Sequence, residues 1–299
     1  MNRPPGKHRL EFAFFRSLQW CFRVLPLPLA YRLSEAMTLL VHELFGWRKA
    51  ATTARMRQVR PDLSPAGIAK SRREAARNLG RNLVEILRAD KLDDRWADAH
   101  IDMNNSMEAL AEARGAGKGV LLVIAHFGNW DLGGTIVCRR GVPMCFIARK
   151  QKNPLTYQAL VHAREHSGGT VIDRDDPKLI RKVLSRLENN EVVAILVDIR
   201  SRGEGECCRF LGQNAKISNG LGLLAAKSGA QVLTVALRRE GRSRHVWKCF
   251  PAQCLQARAD KEARKQLLQN CLDHLSTEIL QHPESYFWLN KRWVLDSGI

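Results

Sequence analysis

GVLLVIAHFGNWDLGG, residues 119–134, decides the fold. GVLLVIA is apolar at every position, as in a strand buried on both faces of a sheet. Gly128 permits a tight turn, and Asn129 is a good N-cap for a helix that begins at Trp130. His126 therefore falls at the carboxyl end of a central strand, where open α/β sheets bind ligands. Asp131 falls in the first turn of the next helix. Across such a strand–turn–helix corner the two side chains can converge. A carboxylate on the imidazole Nδ1–H would then leave Nε2 to take a proton from a hydroxyl attacking a carbonyl. Alternatively, Asp131 only caps the helix and His126 bonds to backbone. Spacing alone leaves both readings open. No serine or cysteine nucleophile lies nearby in sequence, which favours direct attack by a substrate hydroxyl over a covalent intermediate.

Outward from this corner, short apolar runs alternate with amphipathic helices: PMCFIAR, PLTYQALVHAREH, TVID, PKLIRKVLSRLENN and EVVAILVD. That rhythm predicts an α/β fold, a mixed central sheet flanked by helices. A charged, Gly-rich loop follows at 200–209, then a strand or turn at CRFLG and a helix over 219–228. Strands at QVLTVAL and HVWKCF and a long helix over 257–281 complete the core. Before the corner the chain reads as helices over 7–25, 30–45, 64–88 and 107–114, the third opened by Ser64-Pro65 as N-cap and first helical residue. The expected organisation is an N-terminal helical region, residues 1–115, and an α/β core, residues 116–299, in one continuous domain.

The helix over 7–25 carries Leu10, Phe14, Leu18, Cys21 and Leu25 at helical spacing, widened by Phe15, Trp20 and Phe22, beside a row of Arg9, Arg16 and Arg23. Such a helix suits a membrane interface, or the protein's own core. The whole chain of 299 residues has a net charge of +18, and residues 1–60 carry 11 Lys/Arg against 3 Asp/Glu. That surface attracts an anionic partner: an anionic membrane, an acidic carrier protein or nucleic acid. No helix-turn-helix, zinc finger or RNA-binding aromatic motif supports nucleic acid. The 8 cysteines show no C-x-x-C pair and fit reduced thiols on the cytoplasmic side. His245, Cys249 and Cys254 match no standard zinc spacing, so no metal is expected. There is no cleavable signal pattern and no uncharged apolar run long enough to span a bilayer.

HFGNWD resembles the H-x4-D signature of glycerolipid acyltransferases, and more closely that of the bacterial lipid A biosynthesis (lauroyl/myristoyl) acyltransferases and their phosphatidylinositol mannoside acyltransferase cousins. Companion segments follow in the family's order. REAARNLGRNLVEILR, Arg73 to Arg88, is similar to its R-N-x-G-R-x-x-x-E helix. CFIARKQKNPL, Cys145 to Leu155, is similar to its strand ending in arginine before Asn-Pro. VVAILVD ends in Asp198 as the family's strand ends in aspartate. Phe210 to Leu237 resembles the F-x-G-x-x-A segment with its helix and strand, and HPESYFWLNKRW, His282 to Trp293, the terminal segment. Ile199 and Arg200 stand where glutamine is common after the aspartate, and Asn290 stands where lipid A enzymes often have histidine. Both departures leave the acceptor open.

The resemblance implies an acyltransferase with His126 as general base and Asp131 as its partner. It implies that Arg149, Asp198 and Asn129 contact substrate, with Arg149 gripping an anionic oxygen. Arg77 and Asn78 fit helix packing better than the site. No bound cofactor is implied; acyl-ACP or acyl-CoA would be the co-substrate. The acceptor would be a membrane glycolipid or lysolipid, met at the cytoplasmic face of the inner membrane. The alternatives are an acyl thioesterase, in which the same base activates water, and an inactive membrane- or nucleic-acid-binding protein on this scaffold.

Overall fold

The described chain opens with α1 (Gly6–Val24), α2 (Leu27–Glu43), α3 (Lys49–Val59) and α4 (Pro65–Leu87). A computed structural model gives the protein's structure for residues 5–201, 205–257, 259–291 and 293–296. Arg202, Gly203 and Glu204 of the charged loop, and Arg292 of the terminal motif, lie outside the described residues. Ser64 caps α4 as its sequence predicts, accepting from the Gly67 N–H. The apolar pattern predicts no helix over Lys49–Val59, because the buried side of α3 mixes Met56 and Val59 with Thr52 and Arg55 and blurs the period.

Two short elements, α5 (Asp94–His100) and β1 (Ile101–Asp102), lead to α6 (Ser106–Gly115). The core then alternates: β2 (Val120–Ile124), α7 (Trp130–Arg139), β3 (Met144–Ala148), α8 (Pro154–His166), β4 (Thr170–Asp173), α9 (Leu179–Glu188) and β5 (Val192–Leu196). An antiparallel hairpin of β6 (Glu206–Phe210) and β7 (Gln213–Ile217) stands apart from the main sheet. The chain continues through α10 (Gly220–Ser228), β8 (Gln231–Glu240), β9 (Arg244–Cys249) and α11 (Lys261–Gln281).

The main sheet has seven strands in the order β1-β9-β8-β2-β5-β3-β4. Only the β8–β9 pair is antiparallel; the other pairs are parallel. This is the mixed, helix-flanked sheet expected from the alternating rhythm. β2 lies inside it, buried along its whole length. Leu121, Val123 and Ala125 point into a core shared with α3, α4, α10 and α11, whereas Val120, Leu122 and Ile124 join α5, α6 and α7 on the other face.

The N-terminal helices are fastened to the body. Phe22 and Tyr31 pack with Val84 and Leu87 of α4. Arg23 makes a two-pronged pair with Asp90, and Arg81 Nε bonds to Glu35 at 2.7 Å. α1 does not have the single apolar face that its spacing suggests. Phe15, Leu18, Phe22 and Leu25 face the body, while Leu10, Phe14, Trp20 and Val24 are exposed. α2 and the turn after it add Leu40, Leu44 and Phe45 to the exposed apolar set. Among the described residues no helix is long and apolar enough to cross a membrane.

Where α2 crosses α4 the helices touch backbone to backbone. A Cβ on Gly80 would lie 2.7 Å from the Ser34 carbonyl oxygen and 2.8 Å from Thr38 Oγ1. Gly80→Val is therefore expected to push α2 off α4 and cost roughly 1–3 kcal/mol. A thermal melt of the purified variant, read against wild type as a lower Tm, checks this.

Candidate active site

Parallel register brings the site together. β2 and β5 pair with Ile124 beside Leu196, and the two chains run on in step to His126 and Asp198. The His126 backbone N–H donates to Asp198 Oδ2 at 3.0 Å, and its Nδ1 meets Oδ1 at 2.8 Å. The carboxylate thus holds both the backbone and the ring of one residue, fixing the Nδ1–H tautomer. Asp198 is 2% exposed, and the buried Tyr286 side chain beside it helps to lower its pKa. His126 Nε2 has no hydrogen-bond partner among the described residues, and the side chain keeps 15% of its surface exposed.

The corner after His126 is as its sequence implies. Gly128 has φ +64°, and a Cβ there would lie 1.7 Å from the Leu237 carbonyl oxygen, so the turn is pressed against β8. Asn129 Oδ1 accepts from Leu132 N–H at 3.2 Å and caps α7. The terminal segment pairs with the same corner: Phe287 N–H donates to the His126 carbonyl at 2.9 Å and Gly128 N–H to that of Ser285 at 2.8 Å. The ring of Trp130 stands edge-on to the imidazole, with centroids 4.8 Å apart.

Asp131 takes a different place from the one inferred from H-x4-D. Its Oδ1 accepts from Arg164 of α8, at 2.5 Å from Nη2 and 3.2 Å from Nε. The imidazole hydrogen bond goes to Asp198 instead, because a carboxylate in step on the neighbouring strand meets Nδ1 directly, whereas the α7 carboxylate faces α8. Asp131 still acts on His126 through its charge. Arg149 is exposed just beyond β3, with no hydrogen bond or ion pair given to it among the described residues. Asn129 is 4% exposed, and its amide is already engaged, Oδ1 at the helix cap and Nδ2 at Glu85. Arg77 pairs with Glu74 and Asn78 bonds the Glu284 carbonyl, both packing roles.

An apolar slot runs between α6, α7 and the sheet, lined by Leu110, Leu122, Ile124, Val235 and Trp247, and by Trp130, whose ring stands against the imidazole. Asp131 and Arg164 also line it, and both are part-exposed. Gly133 and Gly134 face it from α7; a Cβ on Gly134 would meet the Phe146 ring at 2.4 Å. The sequence gives no sign of Arg164, an arginine in the last turn of α8 that belongs to no motif, or of Tyr286, whose neighbours read only as a terminal aromatic run.

A model of the bacterial lipid A biosynthesis acyltransferases matches residues 11–294. The chain belongs to this family. It is 28% identical over 223 residues to a phosphatidylinositol mannoside acyltransferase of Mycobacterium tuberculosis H37Rv, covering 73% of this chain and 68% of that one. It is 24% identical over 282 residues to the lipid A biosynthesis palmitoleoyltransferase of Escherichia coli K12, covering 92% and 88%. A lipid A biosynthesis acyltransferase of Haemophilus influenzae is 24% identical over 185 residues, covering 61% and 56%. The protein is an acyltransferase of the lipid A biosynthesis acyltransferase family.

In this acyltransferase burial pulls the His126 pKa down, but the charge and hydrogen bond of Asp198, with the charge of Asp131, outweigh it and raise the pKa above 6.5. Burial would raise that of Asp198, yet His126 and the hydrogen bonds it receives hold it below the usual carboxylate range. A base must be neutral to accept a proton, so with His126 in that role the acidic limb of kcat/KM would be displaced upward from the ordinary imidazole range. The stability that this raised pKa contributes is fully present below the unfolded value and is lost as pH rises through the folded one. Asp198→Asn is expected to move the acidic limb to lower pH and to lower kcat roughly 100- to 10,000-fold. A pH–rate profile of both proteins checks the direction.

Proposed function

We propose that this enzyme transfers a fatty acyl chain from an acyl thioester, on acyl carrier protein or coenzyme A, to a hydroxyl or amine of a membrane glycolipid or lysolipid, with His126 as the general base. One observation carries the reading: an imidazole fixed by Asp198 at Nδ1 leaves Nε2 unengaged and packs on Trp130, a residue that lines an apolar slot. The slot suits the acyl chain, and the acceptor oxygen would stand between Nε2 and the thioester carbon. Nε2 takes the hydroxyl proton as oxygen attacks that carbon. The tetrahedral oxyanion then collapses, the carbon–sulfur bond breaks, and the imidazolium returns its proton to the leaving thiolate. Asp198 stabilises the imidazolium between these two transfers.

Asp131 and Arg164, in this reading, hold the corner of the slot nearest the reacting carbon. Arg149 offers a guanidinium to an anionic oxygen of the donor or the acceptor. The names of the relatives, a phosphatidylinositol mannoside acyltransferase and a palmitoleoyltransferase of lipid A biosynthesis, support a lipid acceptor and a fatty acyl donor.

Peripheral docking on the cytoplasmic face of the inner membrane completes the reading. It is supported by the exposed Leu10, Phe14, Trp20 and Val24 of α1, next to the exposed Leu40, Leu44 and Phe45. A net charge of +18 favours an anionic leaflet and an acidic carrier.

The test is a paired assay with acyl thioester and candidate lipid acceptors, following thiol release and acylated lipid together. Wild type should yield both in equal amounts, and His126→Ala should lose both by roughly 100-fold or more. Thiol release without acylated lipid, for every acceptor tried, would make the protein a thioesterase. Full lipid acylation by His126→Ala would remove the general-base mechanism.

A further inference from the structure

The backbone between His126 and α7 is gripped from behind by a buried polar cluster that the chemistry itself does not use. Glu85 of α4 is fully buried. Its carboxylate accepts from Tyr31 Oη at 2.8 Å, Asn129 Nδ2 at 2.7 Å, and Arg239 at 2.8 and 2.6 Å. His245, opposite Arg239 in the β8–β9 pair, brings Nε2 to 3.2 Å from the same carboxylate. Asn82 lies three residues earlier on the same side of α4 and donates from Nδ2 to the Gly128 carbonyl at 2.7 Å. Arg239 Nη2 ties the two together, reaching Asn82 Oδ1 at 2.6 Å as well as Glu85. The Arg239 backbone N–H bonds to Ser285 Oγ at 3.3 Å, and the Ser285 carbonyl takes the Gly128 N–H at 2.8 Å.

We propose that Glu85, Arg239 and Asn82 are positioning residues that clamp Gly128 and Asn129 and so fix where His126 Nε2 points. The inference rests on the reading of His126 as the general base. Four polar atoms of the turn each have a partner: Gly128 N–H on Ser285, Gly128 carbonyl on Asn82, Asn129 Nδ2 on Glu85, and Asn129 Oδ1 on the α7 cap. A buried ion pair is a poor source of net stability compared with apolar side chains of the same size. Here it joins α4, β8 and the catalytic turn at fixed distances, and a displacement of one ångström at a reacting group is enough to cost roughly 100-fold in rate.

Arg239 and His245 hold the Glu85 carboxyl well below the usual range against the opposing effect of its burial, so it stays an acceptor for all of these donors. The same burial lowers the His245 pKa. Tyr31 faces the carboxylate from α2, while the charge of Arg88, at the end of α4, acts on Tyr31 and that of His100 on His245. No group of the clamp reaches His126 directly.

Full-length Glu85→Gln, Asn82→Ala and Asn129→Ser proteins test this, with kcat, both KM values and the pH profile of kcat/KM measured beside Tm. Asn129→Ser keeps a helix-capping oxygen but has no amide for Glu85. The clamp predicts kcat lower by roughly 10- to 100-fold in each, KM for donor and acceptor within about twofold, and a displaced acidic limb. Asn82 is half-buried and leaves Glu85 and Arg239 paired, so Asn82→Ala carries the test if Glu85→Gln does not fold. A folded Asn82→Ala enzyme with wild-type kcat and pH profile, only its Tm lowered, overturns the clamp. His126→Ala separates the two failures. If it retains full transfer, the general-base reading falls; if it is inactive while Asn82→Ala and Asn129→Ser match wild type, the clamp alone falls.

Discussion

Two hydrogen bonds from one residue to one carboxylate organise the rest of this protein. Asp198 receives the backbone N–H and the imidazole Nδ1 of His126 at 3.0 and 2.8 Å. They exist because β2 and β5 are adjacent and parallel, so that residues two beyond Ile124 and Leu196 emerge side by side. A buried carboxylate needs donors or a positive charge to remain ionised. The backbone N–H and the ring of His126 supply donors here, and the imidazolium formed during proton transfer would supply the charge. The central strand therefore does more than fill the core. Its register decides which carboxylate meets the imidazole, and the sharp turn at Gly128 lets the chain leave the sheet without disturbing that contact.

The surrounding chain is arranged to hold the corner from several directions. α4 reaches it with Asn82 and Glu85, β8 with Arg239 and the Leu237 carbonyl, and the terminal segment with Ser285 and Phe287. That terminal segment is held in turn by Arg55 of α3, which bonds the Asn290 carbonyl at 2.8 Å and pairs with Asp296. The N-terminal helices thus serve two ends. One side of α1 and α2 packs on the body, the other exposes apolar side chains, and α4 connects this layer to the His126 corner.

Much of this was legible in the sequence, and the limits have physical causes. GVLLVIA declares a central strand because both faces are apolar, and Gly128 and Asn129 declare the turn and the cap through backbone freedom and side-chain length. These are local properties. The partner of His126 is not local: Asp198 lies 72 residues away, and only strand order and register bring it there. Spacing places Asp131 nearer in sequence, yet its carboxylate turns to Arg164. Asp198 could be assigned to the same cleft from its strand end, but not to a particular nitrogen. α1 shows the same limit. Its apolar residues predict a helix, but only the packed structure separates Phe22, which is buried, from Trp20, which is exposed. Glu85 stood in a recognisable motif, while its contact with Asn129 depends on how α4 crosses the sheet.

The most direct test of the account is the proton on His126 Nδ1. Among the 9 histidines, its resonance can be assigned by proton NMR through its absence in His126→Ala. A hydrogen bond to a buried carboxylate should place it downfield and slow its exchange with water. It should persist in Asp131→Asn and disappear or move sharply upfield in Asp198→Asn. A downfield proton lost in Asp131→Asn and unchanged in Asp198→Asn would contradict the arrangement, and would return the orienting role to the helix carboxylate.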